Sequence, residues 1–109
     1  MSPKMDMGKM LKQVQKAQAQ MMQLQEELNE KTVEASSGGG AVRAVVSGAK
    51  EIKELHIDPE LLRDEDADAE MIQDLVITAV NEALREADKM ATGEMEKLTG
   101  GMGLPPGLL

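Results

Sequence analysis

The sequence predicts an α+β fold: a long N-terminal helix, a three-stranded antiparallel meander and a C-terminal helix. Three observations predict it. Met7, Met10, Val14, Ala17, Met21, Leu24 and Leu28 recur in a 3-4-3-4 rhythm, which is the 3.5-residue average of a helical seam. Between residues 32 and 57 the rhythm gives way to short β-prone runs with brief connections. From Ile72 to Met90 a helical spacing of apolar residues returns.

The first helix is expected from about Met5 to Lys31, with Lys9, Lys12 and Lys16 at helical spacing on its outer face and a run of glutamines after them. Thr32–Ala35 reads as a first strand, and Ser36–Gly40 as a turn. Val42–Ser47 is the second strand, Gly48–Glu51 a tight connection and Ile52–Ile57 the third strand. Connections this short join antiparallel neighbours.

Asp58-Pro59-Glu60-Leu61 opens a helical turn, with Asp as N-cap and Pro at the first helical position. The acidic run Asp64 to Glu70 complements the positive end of a helix dipole. It leads into the C-terminal helix, from about Ala69 to Met90 or beyond. The apolar face of that helix is Ile72, Val76, Ala79, Val80, Ala83, Ala87 and Met90. Gly93 is a point where the helix ends or weakens, because Gly costs about 1 kcal/mol relative to Ala inside a helix. Residues 1–99 are expected to form one domain, and the Gly- and Pro-rich residues 100–109 a flexible tail.

A chain of 109 residues without Phe, Tyr or Trp must build its core from Val, Ile, Leu, Ala and ten Met. Such a core is marginal, so the seam on the first helix is expected to find its partner in a second copy. The candidate contacts of that homodimer are Met7, Met10, Val14, Met21, Leu24 and Leu28. The missing aromatics exclude base stacking of the kind single-strand binders use. The missing cysteines exclude disulfides, thiolate chemistry and cysteine-bound zinc, and fit a cytoplasmic location. No stretch is long and apolar enough to span a membrane, and the N-terminus does not read as a signal peptide.

Net charge is −8, but it is unevenly spread. Residues 1–25 hold Lys4, Lys9, Lys12 and Lys16 against Asp6 alone. Residues 58–97 hold thirteen acidic and four basic side chains. The molecule is bipolar, and the sign asymmetry carries information about partners.

No catalytic constellation emerges. The lone His56 shares a strand face with Glu54 and has no second ligand or reaction partner beside it. Asp64 to Asp68 begins like a calcium loop, but Ala69 stands where Gly is required and Leu75 where a bidentate Glu belongs. Gly38-Gly39-Gly40 lacks the Lys and Ser/Thr of a phosphate loop and reads as a hairpin turn. The chain is therefore expected to be no enzyme and to need no cofactor or metal. The lysine face has two readings, a solvated surface or a phosphate contact. Lys4 near the positive dipole end of the helix, with Glu26, Glu27 and Glu30 near the negative end, runs against dipole stability. A helix charged that way suits a partner. Screening over about 8 Å at physiological salt lets the lysines act apart from the acidic body.

Several strings resemble the YbaB/EbfC family of bacterial nucleoid-associated proteins. They are Met10-Leu11-Lys12-Gln13 and Gln25-Glu26-Glu27-Leu28 in the first helix, the Ser37-Gly38-Gly39-Gly40 turn, and Val42 to Gly48. Most specific are Ile57-Asp58-Pro59-Glu60-Leu61-Leu62 and Gly101-Met102-Gly103-Leu104-Pro105-Pro106-Gly107. The resemblance covers essentially the whole chain. It implies a symmetric, tweezer-like homodimer whose sheets join at the centre and whose helices project. It implies double-stranded DNA as partner, contacted by the projecting helices, so that Lys4, Lys9, Lys12 and Lys16 match by position. It also implies a nucleoid location, roles in chromosome organisation and expression, and a link to a recombination or replication protein. The acidic second helix supports a rival expectation, an acidic adaptor that docks onto such a protein.

Overall fold

The computed structural model describes residues 7–101. In order they form α1 (Met7–Glu30), β1 (Thr32–Ser37), a 3-10 turn (Gly38–Gly40), β2 (Val42–Ser47), β3 (Ile52–Ile57), α2 (Pro59–Arg63) and α3 (Ala69–Gly101). The sheet is an antiparallel meander in the order β1-β2-β3. The expected α+β element order is present. Met5 at the expected helix start, and the expected tail from Met102 onward, lie outside the described residues.

β1 is longer than the sequence suggests. Ser36 pairs with Arg43 and Ser37 with Val42, so the turn shrinks to the three glycines and Ala41. Gly38, Gly39 and Gly40 take φ of 61°, 68° and 95°, a region glycine enters without a Cβ penalty. Ser37 Oγ donates to the Leu75 carbonyl at 2.6 Å, which ties this hairpin end to α3.

The β2–β3 connection is organised by Ser47, which is fully buried. Its Oγ accepts from the backbone N–H groups of Ala49 and Glu51, each at 3.2 Å. A small hydroxyl therefore satisfies two turn donors that would otherwise need water.

The core lies between the sheet and α3. Ala79, Ala83 and Ala87 have no exposed surface and pack with Val42, Ala44 and Val46. Alanines four residues apart lie on one helix face and let the helix backbone approach the strands. One helix is about 10 Å wide, and strands are spaced about 4.8 Å apart. α3 accordingly covers β1 and β2 and leaves β3 largely outside: Ile52 remains 52% exposed and Leu55 43%.

α3 runs through Gly93 to Gly101 without ending. Met90, Glu94 and Leu98 on either side of Gly93 all meet α1 or its exit, and that packing outweighs the glycine penalty. The two helices run antiparallel. Leu28 and Met90 converge at Gly48, while Gln20, Gln23, Leu24 and Glu27 share a groove with Glu94, Lys97 and Leu98.

This arrangement divides the apolar seam of α1. Leu24 and Leu28, expected on a dimer seam, are each 6% exposed and already covered within the single chain. Ala17 and Met21 are half-buried. Met7, Met10 and Val14 are exposed, on a length of helix that extends past α3. The molecule is elongated as a result, with extents of 80 × 20 × 17 Å.

Candidate nucleic-acid interface

α1 holds Lys9, Lys12 and Lys16 on its projecting half, all exposed. At 3.6 residues per turn they are centred roughly 160° around the helix from Met7, Met10 and Val14. The arm therefore has one cationic side and one apolar side. Lys4 lies outside the described residues. No acidic residue occupies the first turn of α1 and no basic residue its last, so the unusual charge order read from the sequence is retained.

Elsewhere, positive charge is paired. Lys31 lies 3.2 Å from Glu94, Arg43 2.7 Å from Glu34, Lys50 2.8 Å from Asp88 and Lys53 2.7 Å from Glu51. Arg63, Arg85, Lys89 and Lys97 pair with carboxylates one helical turn away, Glu60, Glu82, Glu86 and Glu94. Among the described residues, Lys9, Lys12 and Lys16 alone of the lysines and arginines make no ion pair with a carboxylate. An unpaired cation keeps its full attraction for an incoming anion, whereas a paired one must first give up a partner.

The body keeps its negative sign. The hydrogen bond from Arg85 holds the Glu82 carboxyl below the usual carboxylate range, and its charge adds to that effect. Lys53 does the same for Glu51.

The other sequence candidates occupy structural positions among the described residues. His56 Nε2 lies 2.7 Å from Glu54 Oε1, both exposed on the same face of β3, as the alternation implies. Asp58 Oδ1 accepts from the Glu60 N–H at 3.0 Å and caps α2, with Pro59 following it. Asp64 Oδ1 accepts from the Asp66 N–H, and Asp68 Oδ1 from the Met71 N–H at 2.8 Å. The acidic run is thus a turn followed by the cap of α3. Among the described residues, no group of three His, Cys, Asp or Glu side chains is placed to hold a metal ion. No described helix is long and apolar enough to cross a membrane.

Sequence reasoning missed the apolar ledge on β3. Leu55 and Ile57 alternate onto the core side of the sheet, and the register shift between Val45 and Val46 places Ile52 opposite Val46. The alternation of Leu55 and Ile57 was visible in the sequence. The failure of α3 to reach Ile52 and Leu55 was not.

The fold and the arm define a class: a small α+β domain with an acidic body and a projecting helix that carries three exposed lysines. The chain belongs to the YbaB/EbfC DNA-binding family, whose sequence model matches residues 3–102. It is 57% identical over 103 residues to a nucleoid-associated protein of Acetivibrio thermocellus, covering 94% of this chain and 89% of that one. A nucleoid-associated protein of Ruminiclostridium cellulolyticum is 52% identical over 103 residues, covering 94% and 88%. In fold it is similar to the crystal structure of an uncharacterized protein from Helicobacter pylori, with a TM-score of 0.73 at 23% identity, covering 86% of this chain and 97% of that one.

Proposed function

We propose that the protein binds double-stranded DNA as a homodimer through phosphate contacts from its projecting α1 helices, and that it acts at the nucleoid in the cytoplasm. The observation that carries this reading is the placement of Lys9, Lys12 and Lys16. They are the lysines without a carboxylate partner among the described residues, and they stand exposed on the N-terminal half of α1. Seven residues of helix separate Lys9 from Lys16, about 10 Å. That span matches roughly three phosphates along one strand at about 3.4 Å each. Contacts of this kind position a protein on a duplex without reading its sequence. Lys4 extends the same cationic segment toward the N-terminus.

The dimer is proposed to form over the β3 ledge. Ile52 and Leu55 are apolar and exposed beside the core, and β3 is an edge strand with an open side. Joining two copies there leaves both α1 arms projecting, so that two lysine faces serve one duplex. A recombination or replication protein is a further partner in this reading, engaged through the acidic outer side of α3.

A mobility-shift titration of the intact protein with a mixed-sequence duplex, at rising salt, tests the reading. Binding should weaken steeply with salt and vary little with sequence. No binding even at low salt would contradict it and favour the acidic adaptor.

A further inference from the structure

We propose that α1 arms belonging to different DNA-bound dimers pair through their uncharged sides, so that the protein bridges two duplexes. This rests on the reading of Lys9, Lys12 and Lys16 as phosphate contacts. Three observations carry it. The first is an apolar strip: Met7, Met10, Leu11, Val14 and Met22 are 79%, 56%, 58%, 52% and 67% exposed. At 3.6 residues per turn they fall within about one third of the helix circumference. The second is charge. From Met7 to Gln25 the charged side chains are Lys9, Lys12 and Lys16, and each stands about 140–180° from the middle of the strip. Gln13, Gln15 and Gln18, within or beside the strip, are neutral. The third is size. From Met7 to Met22 the strip runs about 22 Å, and a face about 10 Å wide gives it roughly 200 Å². Interfaces that persist between free molecules bury about 1,200 Å² or more in total.

These observations select a second copy as the occupant. The strip has no charge to attract or orient a charged partner, and its complement is an equally uncharged strip. A duplex gathers copies of this chain at high local concentration. A contact too small to persist between free molecules forms between tethered ones. Lysines seated on phosphates turn the strip away from that duplex. Two such arms pack back to back, antiparallel about a two-fold axis near Val14, the middle of the strip. This orientation sends the two acidic bodies to opposite ends of the pair. The lysines then lie on its two outer sides, one set for each duplex. Two helix widths, about 20 Å, separate the two sets, well beyond the roughly 8 Å over which exposed charges act at physiological salt.

The test uses the full chain with two mixed-sequence duplexes, one fixed to beads and one labelled in solution. Wild type, at a concentration that saturates a mobility shift, should hold the labelled duplex on the beads. Met10→Gln with Leu11→Gln and Val14→Gln should lower that capture by about tenfold. Its shift of a single duplex should stay within about twofold of wild type, because Gln preserves the helix and the lysines are untouched. Equal capture by the variant would overturn the proposal. A wild type that shifts one duplex and captures no second one would overturn it and leave the DNA reading standing. A wild type that shifts no duplex would remove both. An independent reading uses Val14→Cys in this cysteine-free chain. Under mild oxidation, added duplex should raise its disulfide-joined two-chain band several-fold. Ala19→Cys, exposed toward the lysine side of the helix, should stay near background. Equal bands for the two cysteines, or a Val14→Cys band that duplex leaves unchanged, would overturn the pairing.

Discussion

Leu28 packs directly onto the backbone of Gly48. A Cβ built on Gly48 would lie 2.9 Å from Leu28 Cδ2, 3.0 Å from the Leu28 carbonyl oxygen and 2.8 Å from Met90 Cε. The Gly48 N–H also donates to the Lys31 carbonyl at 2.9 Å. At this point α1, the end of β2 and α3 meet. Rotating the leucine does not relieve the clash with its carbonyl. Gly48→Ala should therefore destabilise the protein by about 1–3 kcal/mol, read as a lower urea midpoint with an unchanged slope. A wild-type midpoint would show that the junction has slack.

Ser37 holds the glycine turn to the core through its 2.6 Å hydrogen bond to Leu75. Ser37→Ala removes the donor, and the Leu75 carbonyl lies within a helix whose own ladder still serves it. The expected cost is about 1 kcal/mol, measured by thermal or urea unfolding. Gly38→Ala should cost at least as much. It places a Cβ at φ 61° and 3.2 Å from Leu75 Cδ2.

The two candidate dimer surfaces separate cleanly. Ile52→Lys with Leu55→Lys puts like charges on the β3 ledge and should give a folded monomer by sedimentation at micromolar concentration. Met10→Lys, on the arm, should leave the dimer intact. Leu24→Glu should unfold the protomer rather than dissociate it, because it buries an unpaired carboxylate inside the single chain. A dimer that survives the β3 changes and falls apart on Met10→Lys would restore the helical seam as the interface.

Periodicity told most of the fold in advance. The 3-4 rhythm of α1, the alternation in β2 and β3, and the Asp58-Pro59 cap all describe local geometry, which a short stretch of chain encodes by itself. The errors lie where local signals compete with distant ones. Ser36 and Ser37 have turn propensity, yet pairing with Arg43 and Val42 draws them into β1. Gly93 weakens a helix in isolation, yet packing of Met90 and Leu98 carries α3 past it. The seam shows the same limit. Leu24 and Val14 are equivalent in rhythm, and only the length of α3 decides that one is covered and the other exposed. The lysines of the candidate site could be named from charge asymmetry. The i,i+3 partners of Arg63, Arg85, Lys89 and Lys97 are visible in helical spacing, but the pairs of Lys31, Arg43 and Lys50 join separate elements and are not.

Salt dependence of DNA affinity is the most direct test of the central claim. The wild-type protein and the Lys9→Gln, Lys12→Gln, Lys16→Gln triple variant should be titrated against one mixed-sequence duplex at several salt concentrations. Gln is nearly as good a helix former as Lys, so α1 should remain helical by circular dichroism. The variant should bind more weakly to any duplex. Its slope of log affinity against log salt should be shallower by roughly one for each lysine–phosphate pairing removed. If the triple variant binds as tightly as wild type with the same salt slope, the lysine face is only a solvated surface and the proposed DNA contact is wrong.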